Sequence, residues 1–187
     1  MDILLLGPPG AGKGTQGALM AQRLGLPKFA TGDLLRDAVK RGAAIGLRAQ
    51  AVMEAGQLVS DEIIMEVVRD ELGKPEARHG VIFDGVVRTV PQAEGVTGLL
   101  AELGRKMDRV LFFDVPDEEI LARLEKRRTV EGRVDDDPKA VAIRLTAYRD
   151  QTAPVLEWFR ARGDVNVIPS VGSVDEIAQR VQHILGR

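Results

Sequence analysis

Residues Gly7 to Gly14 read GPPGAGKG, a G-x-x-x-x-G-K spacing whose chemistry is phosphate binding. Glycines let backbone N–H groups turn inward and cradle phosphate oxygens. A helix beginning behind the loop points its positive amino end at the same anion. Lys13 adds a full charge where a phosphoryl group would be transferred. The residue after Lys13 is Gly14, where the commonest loop of this kind has Ser or Thr, and Thr15 follows one place later. Magnesium accompanying the phosphate is therefore expected to be held partly through water, not by a hydroxyl at position 14. The alternative, a glycine-rich turn without a ligand, is disfavoured because strand, glycines, lysine and helix occur in the working order.

Such a loop needs a sheet to hold it. Asp2 to Leu6 is a short apolar run that stops at Gly7, the pattern of a buried strand. GVIFD (80–84), RVLFFDV (109–115) and DVNVIP (164–169) read the same way, with a weaker strand at Lys28–Ala30. Helical spacing is expected from Gly14 to Gly25 and near 32–41, 44–55, 61–73, 90–103, 116–127, 137–162 and 174–185. Thr31, Ser60 and Asp61 are candidate caps, and Ser173 or Asp175 would start the last helix. Strands alternating with helices predict an α/β three-layer sandwich: a mostly five-stranded parallel sheet covered on both faces. Ligands bind such sheets at the carboxyl ends of the strands. The loop, Asp84–Arg88 and the residues after Val115 all fall at that edge.

The chain has 187 residues, enough for one well-cored domain with small appendages. With 44% hydrophobic and 29% charged residues it has the composition of a soluble globular protein. A net charge of -2 supplies no global field for nucleic acid or membrane. No apolar run reaches membrane-spanning length. Cysteine is absent, which excludes disulfides and cysteine-ligated zinc and suits a reducing compartment. A cytoplasmic protein is expected. His79 and His183 lack ligand spacing, and Trp158 and Phe159 read as helix packing.

GPPGAGKGTQ closely resembles the phosphate loop of adenylate kinases, whose motif has Gly-Thr after the lysine. The resemblance continues in order along nearly the whole chain. TGDLLR (31–36) resembles the monophosphate-binding segment and FDGVVRT (83–89) the segment usually written FDGFPRT. GRVDD (132–136) resembles the lid signature, and RLTAYRDQTAPV (144–155) the helix after the lid. The resemblance implies a nucleoside-monophosphate kinase that moves the ATP γ-phosphate to AMP and gives two ADP. It implies a core of 1–29, 60–125 and 137–187, an AMP-binding segment of 30–59 and a short lid of 126–136. Longer members carry an inserted small domain in the lid, some with four cysteines for zinc. This chain resembles the short-lid form, so magnesium with ATP and no zinc is expected.

Transfer between two nucleotides brings many negative charges together, and arginine's planar fork suits phosphate oxygens. The resemblance implies that Lys13, Arg88, Arg127, Arg133 and Arg144 are catalytic. It assigns ATP to Gly10, Ala11, Gly12, Lys13, Gly14, Thr15 and Arg127. It assigns AMP to Thr31, Arg36, Gln57, Val59, Gly85, Arg88, Gln92, Arg133 and Arg144. Arg128 competes with Arg127 for its role. Asp84, ending a strand opposite the loop, stands where a magnesium-ordering carboxylate is expected, acting through water, with Asp33 as an assistant. Asp135 and Asp136 are expected to orient the lid arginines. Thr31 favours AMP, since pyrimidine-monophosphate kinases tend to carry Ala-Gly-Asp where this chain has TGD. The family also suggests a monomer.

One departure is prominent. The family's Phe-Pro is Val86-Val87 here. That proline is typically preceded by a cis peptide. Without proline, cis costs about 2.5–4 kcal/mol rather than about 0.5–1. A trans bond is expected to re-aim the chain toward Arg88 and weaken AMP binding or turnover. The rival readings are a UMP or CMP kinase, separated by acceptor preference, and an ATP-binding regulatory module with little transfer.

Overall fold

A computed structural model describes residues 1–55, 57–131, 136–163 and 165–186, and the statements below concern those residues. Five strands form one sheet: β1 (Asp2–Leu6), β2 (Lys28–Ala30), β3 (Val81–Asp84), β4 (Met107–Asp114) and β5 (Val165–Pro169). Their order across the sheet is β2-β3-β1-β4-β5, and every pairing is parallel. The predicted fold class is the one observed. β1 is buried along its whole length, as its unbroken Ile-Leu run requires of a strand covered on both faces.

Helices α1 (Lys13–Leu24), α2 (Thr31–Lys40), α3 (Ala44–Glu54), α4 (Asp61–Leu72) and α5 (Val90–Glu102) come from the first half. α6 (Asp117–Glu131), α7 (Pro138–Ala147), α8 (Ala153–Arg160) and α9 (Val174–Leu185) complete the set. One apolar cluster, including Phe29, Phe83, Val96 and Leu100, packs on one face of the sheet. A second, including Met20, Phe113, Ile120 and Val181, packs on the other. Val86 and Val87 are fully buried in the first cluster. So is Phe159, with Trp158 packed against it at 4.8 Å between ring centroids. His79 and His183 are exposed.

Three expectations are corrected. α6 runs to Glu131, four residues past the expected end, so the first half of the 126–136 stretch is helical. The expected helix over 137–162 is interrupted by a π-helical turn at Tyr148–Thr152, which separates α7 from α8. Thr31 does not cap α2, whose cap position is Ala30; its hydroxyl donates to the Gly85 carbonyl at 3.0 Å. Ser60 holds the cap position of α4 without a side-chain bond to its backbone. Ser173 does start α9, and forms a full capping box with Glu176.

α2 and α3 cross so closely that a Cβ on Gly46 would meet the Val39 nitrogen at 2.3 Å. A side chain there would force the two helices apart. At the amino end of the sheet, Asp2 is buried and pairs through both carboxylate oxygens with Arg105. Arg105 also donates to the Ala77 carbonyl at 2.8 Å, tying β1 to the turn before β3. Removing the guanidinium strands a buried carboxylate. R105A is therefore expected to destabilise the fold by about 3–5 kcal/mol, with R105K less damaging, as read by urea unfolding. A loss below about 1 kcal/mol for R105A would contradict this view of the pair.

Candidate active site

β1 delivers the chain at Leu6 into the loop, and Gly12 ends it in a left-handed conformation, φ 88°, that turns directly into α1. No side chain caps α1 and no acidic residue lies in its first turn. Its leading N–H groups are thus left for an anion. Lys13 folds back over the loop, donating to the carbonyls of Gly7 at 2.6 Å and Pro8 at 2.8 Å. Burial pulls its pKa down to about 8; Asp84 opposes the shift, while Arg88, Arg144 and Arg127 add to it.

The loop forms the floor of a cleft of ≈ 680 Å³ at the carboxyl edge of the sheet. Gly10, Ala11, Gly12, Lys13, Gly14 and Thr15 line one side. Thr31, Arg36, Gln57, Val59, Gly85 and Gln92 line the other. Arg88 stands beside Gly85 on that second side, and Arg127, Arg144 and Asp84 also line the cleft. The structure therefore brings together every expected site residue except Arg133. Arg133 and Asp135 lie outside the described residues.

Assembling cations without a bound anion requires carboxylates. Asp136 has a fully buried side chain. It accepts from Arg127 at 2.6 Å through each oxygen and from Arg144 at 2.7 Å. Burial by itself would raise the Asp136 carboxyl, but the hydrogen bonds and charge of Arg127, joined by Arg144, hold it below the usual carboxylate range. Arg36 pairs with Asp33 at 2.6 Å, and both line the cleft. Arg128 is exposed and pairs with Glu125 at 2.8 Å, which leaves Arg127 as the cation of that pair facing the cleft.

On the acceptor side the peptide bonds around Val86-Val87 are trans, and Arg88 nevertheless lines the cleft. The loss of proline does not remove Arg88 from the site. Gln92 is buried, with its amide oxygen accepting from the Arg88 N–H at 2.7 Å and its amide nitrogen donating to Asp61 at 2.8 Å. An amide offers two donors and two lone pairs, so these two bonds do not exhaust its capacity.

Magnesium takes few protein ligands and keeps water and substrate phosphates in its shell. Asp84 suits that: its carboxylate lies close to Gly14, 3.6 Å from where a Cβ on that glycine would sit. Among the described residues no cluster of three or more His, Asp or Glu could hold a metal alone. The donor set fits a cation that arrives on a nucleotide.

The family model for adenylate kinase matches residues 5–164. The chain belongs to the adenylate kinase family. An adenylate kinase of Gemmatimonas aurantiaca is 44% identical over 207 residues, covering 97% of each chain. One from Thermus thermophilus is 44% identical, covering 98% of this chain and 96% of its own. One from Xanthomonas campestris is 43% identical over the full length of both. The matched span contains every residue that lines the cleft.

Several lining residues escaped the sequence reading. Arg123 faces the cleft one helical turn before Arg127, held by Glu119 at 2.8 Å and by the Ser170 carbonyl at 2.8 Å. Its i, i+4 spacing from Arg127 places both on one face of α6, a usable signal. Lys28 reaches Asp84 at 3.6 Å, and Tyr148 and Thr152 enter from the π-turn. Nothing in the local sequence marks these three.

Two outcomes follow from the charges. Lys13 titrates lower in the fold than in the unfolded chain. Between about pH 8 and about pH 10.4 the unfolded state holds the extra proton, so this group favours folding as pH rises. Phosphate binding runs the other way, because the free enzyme loses the Lys13 charge above about pH 8. The KM for ATP should climb above that pH, while kcat holds to higher pH because bound phosphates keep Lys13 protonated. A KM flat to pH 9.5 would overturn this. For Asp136, a lowered carboxyl gives stability that is complete above about pH 4 and lost as pH falls further. D136N should erase that acid limb of the melting profile. It should also lower kcat by roughly 100-fold, the cost of arginines displaced by about 1 Å.

Proposed function

We propose that the chain catalyses reversible, magnesium-dependent transfer of the ATP γ-phosphate to AMP, giving two ADP. What carries this reading is the row of cations across one cleft, from Lys13 in the phosphate loop through Arg127 and Arg144 to Arg88 and Arg36. A site that merely bound ATP has no use for Arg36 and Arg88 on the far wall. Membership of the adenylate kinase family supports the same activity.

ATP lies with its phosphates on the loop, where Lys13 and the leading N–H groups of α1 hold them. AMP lies on the far wall, its phosphate gripped by Arg36 and Arg88 and its base near Thr31, Gln57, Val59 and Gln92. Arg127 and Arg144, aimed by Asp136, meet the group in flight and stabilise the charge on its equatorial oxygens, with Arg133 as their partner. Asp84 would hold magnesium on the ATP phosphates through water, and the metal would supply further neutralisation of the donor. No side chain is asked to act as a general base, because the AMP phosphate is already ionised near neutral pH. Closure of 30–59 and 126–136 over the substrates excludes water and protects ATP from hydrolysis. The reading carries with it a cytoplasmic monomer acting on small nucleotides.

Thr31 and Gln92 on the acceptor wall favour AMP over UMP or CMP. ADP formation should be rapid with ATP, magnesium and AMP, at least 100-fold slower with UMP or CMP, and negligible without an acceptor. Equal rates with a pyrimidine monophosphate would move the assignment to a UMP/CMP kinase. ATP binding without transfer to any monophosphate would favour a regulatory module.

A further inference from the structure

Arg88 is held by its main chain as well as by its side chain. Its N–H donates to Gln92, its Nε donates to the Gly85 carbonyl at 2.9 Å, and its own carbonyl accepts from the Thr152 hydroxyl at 2.8 Å. Thr152 is buried and lies sixty-four residues further along the chain. It closes the π-turn Tyr148–Thr152, in which the Ala153 N–H bonds back to the Tyr148 carbonyl. The wide turn changes the phase of the helix. In unbroken α-helix each residue adds about 100°, so removing one residue from this turn would swing Thr152 away from Arg88.

We propose that Thr152 is a positioning residue for Arg88: its hydroxyl pins the Arg88 carbonyl from a distant part of the chain. The same turn follows α7, which carries Arg144 eight residues before Thr152. The arginine on the acceptor wall and an arginine of the transfer site therefore share one mount. A π-turn is uncommon inside helical segments and concentrates at functional sites, which fits this use.

The inference rests on the AMP-kinase reading, and a Ser/Ala pair at position 152 isolates the hydroxyl. T152S keeps it; T152A removes it together with the methyl group; T152V removes it at nearly constant volume. KM for AMP, KM for ATP, kcat and melting temperature are measured for each. T152V and T152A should lose about 10- to 30-fold in kcat/KM for AMP with the ATP KM within twofold of wild type. T152S should stay within threefold of wild type. If T152V fails to fold, T152A against T152S still decides. Equal kinetics for T152A and T152S, or an ATP KM that rises as far as the AMP KM, would overturn the role of Thr152 and leave the function standing. A wild-type protein that makes no ADP from ATP and AMP would overturn the function reading, and this inference with it.

Discussion

Like charges must be crowded together before their ligand arrives. Lys13, Arg36, Arg88, Arg123, Arg127 and Arg144 all face one cleft, and unpaired they would repel one another in a medium that screens poorly. The molecule answers by giving each a local acceptor. Asp136 takes two arginines, Asp33 takes Arg36, Glu119 takes Arg123, and main-chain carbonyls take Lys13 and Arg88. Each cation is thus held in place by a partner within the chain.

The sheet makes that arrangement possible. β1 lies at its centre, flanked by β3 and β4, so the loops leaving their carboxyl ends open onto one crevice. The charged groups of the cleft come from the β1 loop, β2, α2, β3 and its loop, α6 and α7. Burial of both sheet faces fixes the strands, and the strands fix the distance between the two walls. The charges near the cleft depend on apolar packing that none of them takes part in.

Much of this was legible in the residues themselves. Short unbroken apolar runs marked β1, β3 and β4, because a strand covered on both faces must be apolar throughout. The glycines and Lys13 marked the loop, because few other uses explain that spacing. The motif resemblance placed Arg36, Arg88, Arg127 and Arg144, and the structure gathers them. Other parts were not legible. The π-turn at Tyr148–Thr152 comes just before Pro154, which has no N–H to continue the α-helical ladder, but nothing in YRDQT itself announces a wide turn. The reach of Thr152 to Arg88, and of Lys28 to Asp84, spans residues distant in the chain. Side-chain type offers no clue to either. Thr31 read as a cap because its chemistry suits one, but its hydroxyl found a carbonyl on the neighbouring loop instead.

Asp136 also ties two helices together. Arg127 on α6 and Arg144 on α7 both donate to its buried carboxylate, which staples the helices whatever the length of chain between them. What lies beyond a staple can change length cheaply, because doubling a closed loop adds only about 0.6 kcal/mol of entropy. The spacing of the two guanidinium groups does not pass through that chain. Extra structure can therefore be grafted at this point without retuning the charges beneath it.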